Sequence, residues 1–148
     1  MSTYNSLSTF HKSLTGAIEL GTPCTFKVLL PSACSSVNLL LCKWLHWDTP
    51  TAYPMVQEGH SSDTGTYTVT LTLDKIGIYA YCFSYCKDGK TFFIKRKIHS
   101  MEGFITPQSG YHWELTCYQP TFEMHPALAG STFYEIFPDR FYRSPSYV

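Results

Sequence analysis

The sequence predicts an all-β fold, a sandwich of short antiparallel strands, and three observations carry that reading. Tyr67, Val69, Leu71 and Leu73 alternate with Thr66, Thr68, Thr70 and Thr72, a period of two with apolar side chains facing in and threonines facing out. Turn signals recur at the spacing short strands need, at Pro31, Ser35-Ser36, Gly77 and Asp88-Gly89. No segment before residue 120 repeats its apolar residues with a helical period.

In chain order, the stretch from Phe10 to Leu20 is ambiguous, but Gly16 and Gly21 favour an edge strand over a helix. Phe26-Lys27-Val28-Leu29-Leu30 follows Pro23 and stops at Pro31, and Val37 to Trp44 is a second apolar run. After the threonine-rich strand, Gly77 opens Ile78 to Tyr85, in which Tyr79, Tyr81, Phe83 and Tyr85 alternate with Ala80, Cys82 and Ser84. That aromatic stripe is read as a core or interface face. Asp88-Gly89 is a hairpin turn signal leading into Thr91 to Ile94 and the basic triplet Lys95-Arg96-Lys97. The triplet is read as protection of a strand edge against sheet-to-sheet pairing. Met101 to Gly110 is loop-like, and Tyr111 to Tyr118 is one more strand-like run. Gln119 to Gly130, with Pro120 and Pro126, reads as a linker. Residues 131–144 are again dense in aromatics with nothing after them to pack against, so they are expected to be the start of a second, truncated domain. The division is a module at 1–118, a linker at 119–130 and a stub at 131–148.

Composition narrows the function. Hydrophobic residues make up 44% of 148 residues and aromatics 16%, enough for a core. Charged residues are 15% and the formal net charge is +0, so no basic face invites nucleic acid. No apolar run approaches the roughly 20 residues of a membrane helix, and Met1 to Asn5 has no signal-peptide core; the expectation is a soluble, cytoplasmic chain. Cys82 and Cys86 in one strand would sit roughly 13 Å apart, too far for a disulfide. No Cys-x-x-Cys exists among the six cysteines. Buried free thiols in a reducing compartment are expected, and no cysteine or histidine spacing suggests a metal site. The six histidines are expected on the surface or in loops.

At the C-terminal stub, Phe133-Tyr134-Glu135-Ile136-Phe137-Pro138-Asp139-Arg140-Phe141 resembles the "YQIFPDRF" entry segment of the α-amylase family of glycoside hydrolases. Glu135 stands where glutamine is usual. Trp113 to Tyr118 and Pro126 to Gly130 resemble the lead-in of bacterial members, with Ala127 and Leu128 in place of its aspartate and tryptophan. Ser13 to Thr22, Thr64 to Tyr67 and Lys75 to Tyr81 resemble strands of their N-terminal module. The resemblance implies an immunoglobulin-like, early-set sandwich in front of a (β/α)8 barrel, of which residues 131–148 would be the first strand. Tyr134, Phe137, Pro138, Asp139, Arg140 and Phe141 would then be structural residues of the motif. It further implies a non-catalytic accessory module of an enzyme acting on α-glucans (starch, maltooligosaccharides, cyclodextrins or pullulan), supporting the barrel, a homodimer or substrate binding. A stand-alone starch-binding module and a protein-interaction domain are the alternatives. Any calcium would belong to the full-length parent, and this chain is expected to need no cofactor.

Glycoside hydrolysis needs two carboxylates flanking the scissile bond, and in the family these come from later barrel strands. No catalytic residue is therefore assigned; Glu135, Asp139 and Arg140 are read as structural. Sugar rings stack their C–H faces on exposed aromatic rings. Trp44, Trp47 and Tyr53, interleaved with Lys43, His46 and Asp48, are the candidate carbohydrate-contacting residues. On a regular strand Trp44 and Trp47 would point to opposite faces, so the plainer reading has one indole in the core and the other at an edge or on a loop.

Overall fold

The computed structural model describes residues 2–61, 63–108, 110–121, 125–128, 130–132, 134 and 135. Ten strands form two sheets: β1 (Ile18–Glu19), β2 (Pro23–Pro31), β3 (Ser35–Lys43), β4 (Thr51–Pro54), β5 (Val56–His60), β6 (Thr64–Thr72), β7 (Gly77–Lys87), β8 (Lys90–Arg96), β9 (Gly103–Thr106) and β10 (Trp113–Tyr118). The small sheet has the order β2-β6-β5, and the large one β1-β10-β7-β3-β4 with β8 on β7 and β9 on β8. All pairings are antiparallel except β1 with β10. The described residues contain no helix, as the sequence led one to expect.

The threonine-rich strand behaves as read. In β6, Tyr67 and Leu71 are buried, with Leu73 just beyond it, and Thr70 and Thr72 are exposed. Across β2 the same period holds: Cys24, Phe26, Val28 and Leu30 point inward. Residues directly opposite in an antiparallel pair share a face, so the register Phe26↔Val69 and Val28↔Tyr67 sets one coherent inner surface. Asp88 (φ 51°) and Gly89 (φ 71°) both adopt left-handed backbone, the two-residue turn of a hairpin, and close β7 onto β8 at Lys87↔Lys90.

β7 is the central element. Its first half pairs with β10 (Tyr81↔Trp113), its second half with β8 (Phe83↔Ile94), and its other edge with β3 (Phe83↔Leu39). The stripe Tyr79, Tyr81, Phe83 and Tyr85 is core throughout. Tyr81 stacks on Trp113 at 5.6 Å between ring centroids, and Phe26 meets Tyr81 edge-on at 5.2 Å. Tyr4 plugs this cluster from the N-terminal segment. It is fully buried, its hydroxyl lies 2.9 Å from that of Tyr81, and its ring packs 4.7 Å from both Phe83 and Trp113.

Four expectations need correction. Phe10 to Leu20 is mostly irregular: only Ile18 and Glu19 form a strand, and Lys12 makes an isolated bridge to Phe26. Met101 to Gly110 contains β9, a short strand with little inward-facing apolar surface and hence little signal. Lys95-Arg96-Lys97 does not guard an edge, because β8 lies between β7 and β9. Each member is engaged locally instead. Arg96 donates to the carbonyls of His112 (3.1 Å) and Ser100 (3.4 Å), Lys97 pairs with Glu102 at 2.9 Å, and Lys95 is buried. His11 is also buried, with Nδ1 2.9 Å from the Lys27 carbonyl oxygen. All six cysteines are free thiols. No helix among the described residues is long and apolar enough to cross a membrane.

Candidate functional site

β3 ends at Lys43, and Leu45 takes a left-handed backbone (φ 70°). That single reversal takes the chain out of the sheet. The Trp44 N–H still donates to Ile78 O (3.0 Å), and the His46 N–H closes a turn onto Lys43 O (3.0 Å). Because the strand does not continue, its two-residue alternation no longer separates the tryptophans. Trp44 and Trp47 meet edge to face, with centroids 5.4 Å apart and planes at 68°. Trp44 is 38% exposed, and neither indole belongs to the core cluster. Tyr53 lies elsewhere. It is opposite the inward-pointing Leu39 and packs against the core. The structure thus brings together two of the three candidate residues and places the third on the other face of the large sheet.

Trp47 is held by a feature that the sequence did not single out. Its ring stacks on the His112 imidazole, with centroids 4.2 Å apart and planes at 27°. Both sit over the outer face of β7, where Ala80, Cys82 and Ser84 are buried although they point away from the core. Beneath the indole lies a cavity of about 120 Å³ lined by Leu40, Cys42, Trp47, Pro50, Cys82, Phe93, Lys95 and His112. Lys95 is 5% exposed, with Nζ 2.9 Å from His112 Nε2 and 5.3 Å from the Phe93 ring centre. An ammonium can only donate, so Nε2 accepts and the imidazole is neutral, carrying its proton on Nδ1. Burial, and then the Lys95 charge, lowers the His112 pKa to about 4. Burial raises the pKa values of Cys42 and Cys82, partly offset by Lys95. These are inert thiols rather than nucleophiles.

The sequence carried one signal for this arrangement. Ile78 to Cys86 contains no charged residue, as in a strand covered on both faces. It gave no sign that the cover consists of Trp47, Lys95 and His112, which are distant in sequence. Among the described residues no cluster of three or more His, Cys, Asp or Glu could hold a metal ion. Of the motif residues, Tyr134 is described and 82% exposed; Phe137, Pro138, Asp139, Arg140 and Phe141 lie outside the described residues.

No protein-family model matches the chain. Its sequence is 30% identical over 143 residues to an amylopullulanase of Thermoanaerobacterium saccharolyticum, covering 90% of this chain. The two sequences are thus similar along nearly the whole of this chain. The chain spans only 11% of the length of that amylopullulanase. A cyclomaltodextrinase structure superimposes on 78% of this chain and 19% of its own, with a TM-score of 0.58 and 12% identity. At that identity the likeness concerns the fold alone, and it agrees with the immunoglobulin-like sandwich that the sequence resemblance implies.

Proposed function

We propose that the chain is a non-catalytic β-sandwich module of an α-glucan-acting glycoside hydrolase, joined in its parent to a catalytic domain, and that the Trp44–Trp47 ledge is its glucan-facing surface. The observation that carries the module reading is the similarity to the amylopullulanase along nearly the whole chain. The ledge reading is supported by the half-exposed Trp44 ring and by Trp47, held edge to face by Trp44 and stacked on His112. A rigid indole loses little conformational freedom when a sugar face stacks on it.

Affinity electrophoresis through amylopectin tests the surface. The chain should be retarded, and Trp44→Ala should run close to its speed in a glucan-free gel. Equal mobility of the unaltered chain with and without amylopectin removes glucan contact and leaves a supporting role beside the catalytic domain. The chain alone should release no reducing sugar from starch or maltooligosaccharides; cleavage by the purified chain would contradict the non-catalytic assignment.

A further inference from the structure

The cation beneath Trp47 has no ion-pair partner among the described residues. A buried charge is normally paired with an opposite charge or fully hydrogen-bonded. Lys95 is 5% exposed, and the ion pairs among the described residues, Lys27–Glu58 and Lys97–Glu102, do not involve it. Its ammonium has three donors. One goes to His112 Nε2 and another faces the Cys82 thiol, a weak acceptor. The ammonium also lies over the Phe93 ring, 5.3 Å from its centre, and the adjoining cavity is lined in addition by Leu40, Cys42, Pro50 and Trp47. His112 is neutral and contributes no charge of its own. Asp48 is the nearby carboxylate on the covering loop; it is exposed and makes no ion pair with Lys95. Glu114, on the outer face of β10, is likewise exposed and unpaired with it.

The cavity beside this ammonium measures about 120 Å³, room for several water-sized bodies. It is walled in part by the Trp47 indole and the Phe93 ring. It therefore combines a buried positive charge that has no carboxylate partner among the described residues with largely apolar walls that a large hydrated ligand would not tolerate.

We propose that this cavity binds a small monovalent inorganic anion of the halide class, held by the Lys95 ammonium and covered by Trp47. The anion balances the charge of Lys95 and fastens the Trp44–Pro50 loop to the outer face of β7. The site shares Trp47, but not Trp44, with the proposed glucan-facing ledge, and halide binding is read without any glucan, so either proposal can fail alone.

The test is halide titration of the full chain at constant ionic strength, with sulfate as the balancing anion. Chloride nuclear magnetic resonance of the unaltered protein should show line broadening beyond that of a sulfate-matched blank, and iodide should chase it. Iodide quenching of tryptophan fluorescence should contain a saturable component that chloride competes away. Lys95→Met should weaken binding about tenfold or more, the consequence of losing a charge-assisted hydrogen bond. Asp48→Asn should tighten it, since a nearby negative charge is removed. Absence of excess chloride broadening with the unaltered chain would overturn the proposal, even if Lys95→Met proves unable to fold. Strictly linear quenching, equal with and without chloride, would do the same and leave water as the occupant.

Discussion

Tyr4 and Tyr81 show how one residue pair can set a local stability. Both phenols are buried and each hydroxyl is the other's partner at 2.9 Å. Burial raises the pKa of both, so neither ionises near neutral pH. Tyr81→Phe strands the Tyr4 hydroxyl in the core and should cost about 1–3 kcal/mol. Adding Tyr4→Phe should recover part of that loss, since no polar atom is then left unpaired; urea denaturation of the three variants checks both steps. His112 gives a second prediction at this scale. Its pKa in the folded state is lowered to about 4 from 6.5, so the unfolded chain takes up the proton first as the pH drops. The stability linked to His112 is intact above about pH 6.5 and is lost as the pH falls from there toward about 4. His112→Gln should flatten this part of the stability profile, measured by thermal melts across that range.

At the scale of elements, β7 explains why the large sheet tolerates so many short strands. It is paired along both edges and buried on both faces over Tyr79 to Tyr85, and β3, β8 and β10 all register against it. β9 joins through β8, and its approach requires a glycine. A Cβ on Gly103 would meet Ile94 Cγ2 at 2.8 Å and Trp113 Cη2 at 3.2 Å, both inside the core. Gly103→Ala should therefore destabilise the protein by roughly 1–3 kcal/mol through overpacking, visible as a lower urea midpoint with an unchanged slope. The strands with a clear two-residue period, β2 and β6, were legible in the sequence, as was the β7–β8 hairpin from its Asp-Gly turn. β4, β5 and β9 were not. They are four or five residues long, carry mixed side chains, and become strands because a neighbour's free edge is available to them.

For the molecule as a whole, the pattern of cysteine burial makes a simple forecast. Cys24, Cys42, Cys82 and Cys117 are buried, whereas Cys34 and Cys86 are half-exposed. Labelling of the native chain with an aromatic disulfide reagent should therefore be biphasic, with Cys34 and Cys86 reacting first. The other four should wait for opening of the sandwich. Peptide mapping of the early product identifies the sites, and rapid labelling of Cys24 or Cys117 would be incompatible with this packing. Of the candidate surface, the sequence showed the residue types and little of their arrangement. Trp44 and Trp47 were visible as aromatics among polar residues. Their meeting depends on the left-handed turn at Leu45, and the seat for Trp47 depends on His112, brought alongside by β10.

By itself, the sequence determined the sandwich, through the period of its apolar residues and the spacing of its turns. It also pointed to the hydrolase family, through motifs local enough to be read without a fold. The tertiary structure alone decided which surfaces face outward together. Burial on both faces of β7, the lack of an ion pair at Lys95 among the described residues and the separation of Tyr53 from the two tryptophans all arise from contacts between distant segments. The physical reason is that a strand's alternation is local, whereas what covers each face is set by loops and partner strands whose positions no local pattern encodes.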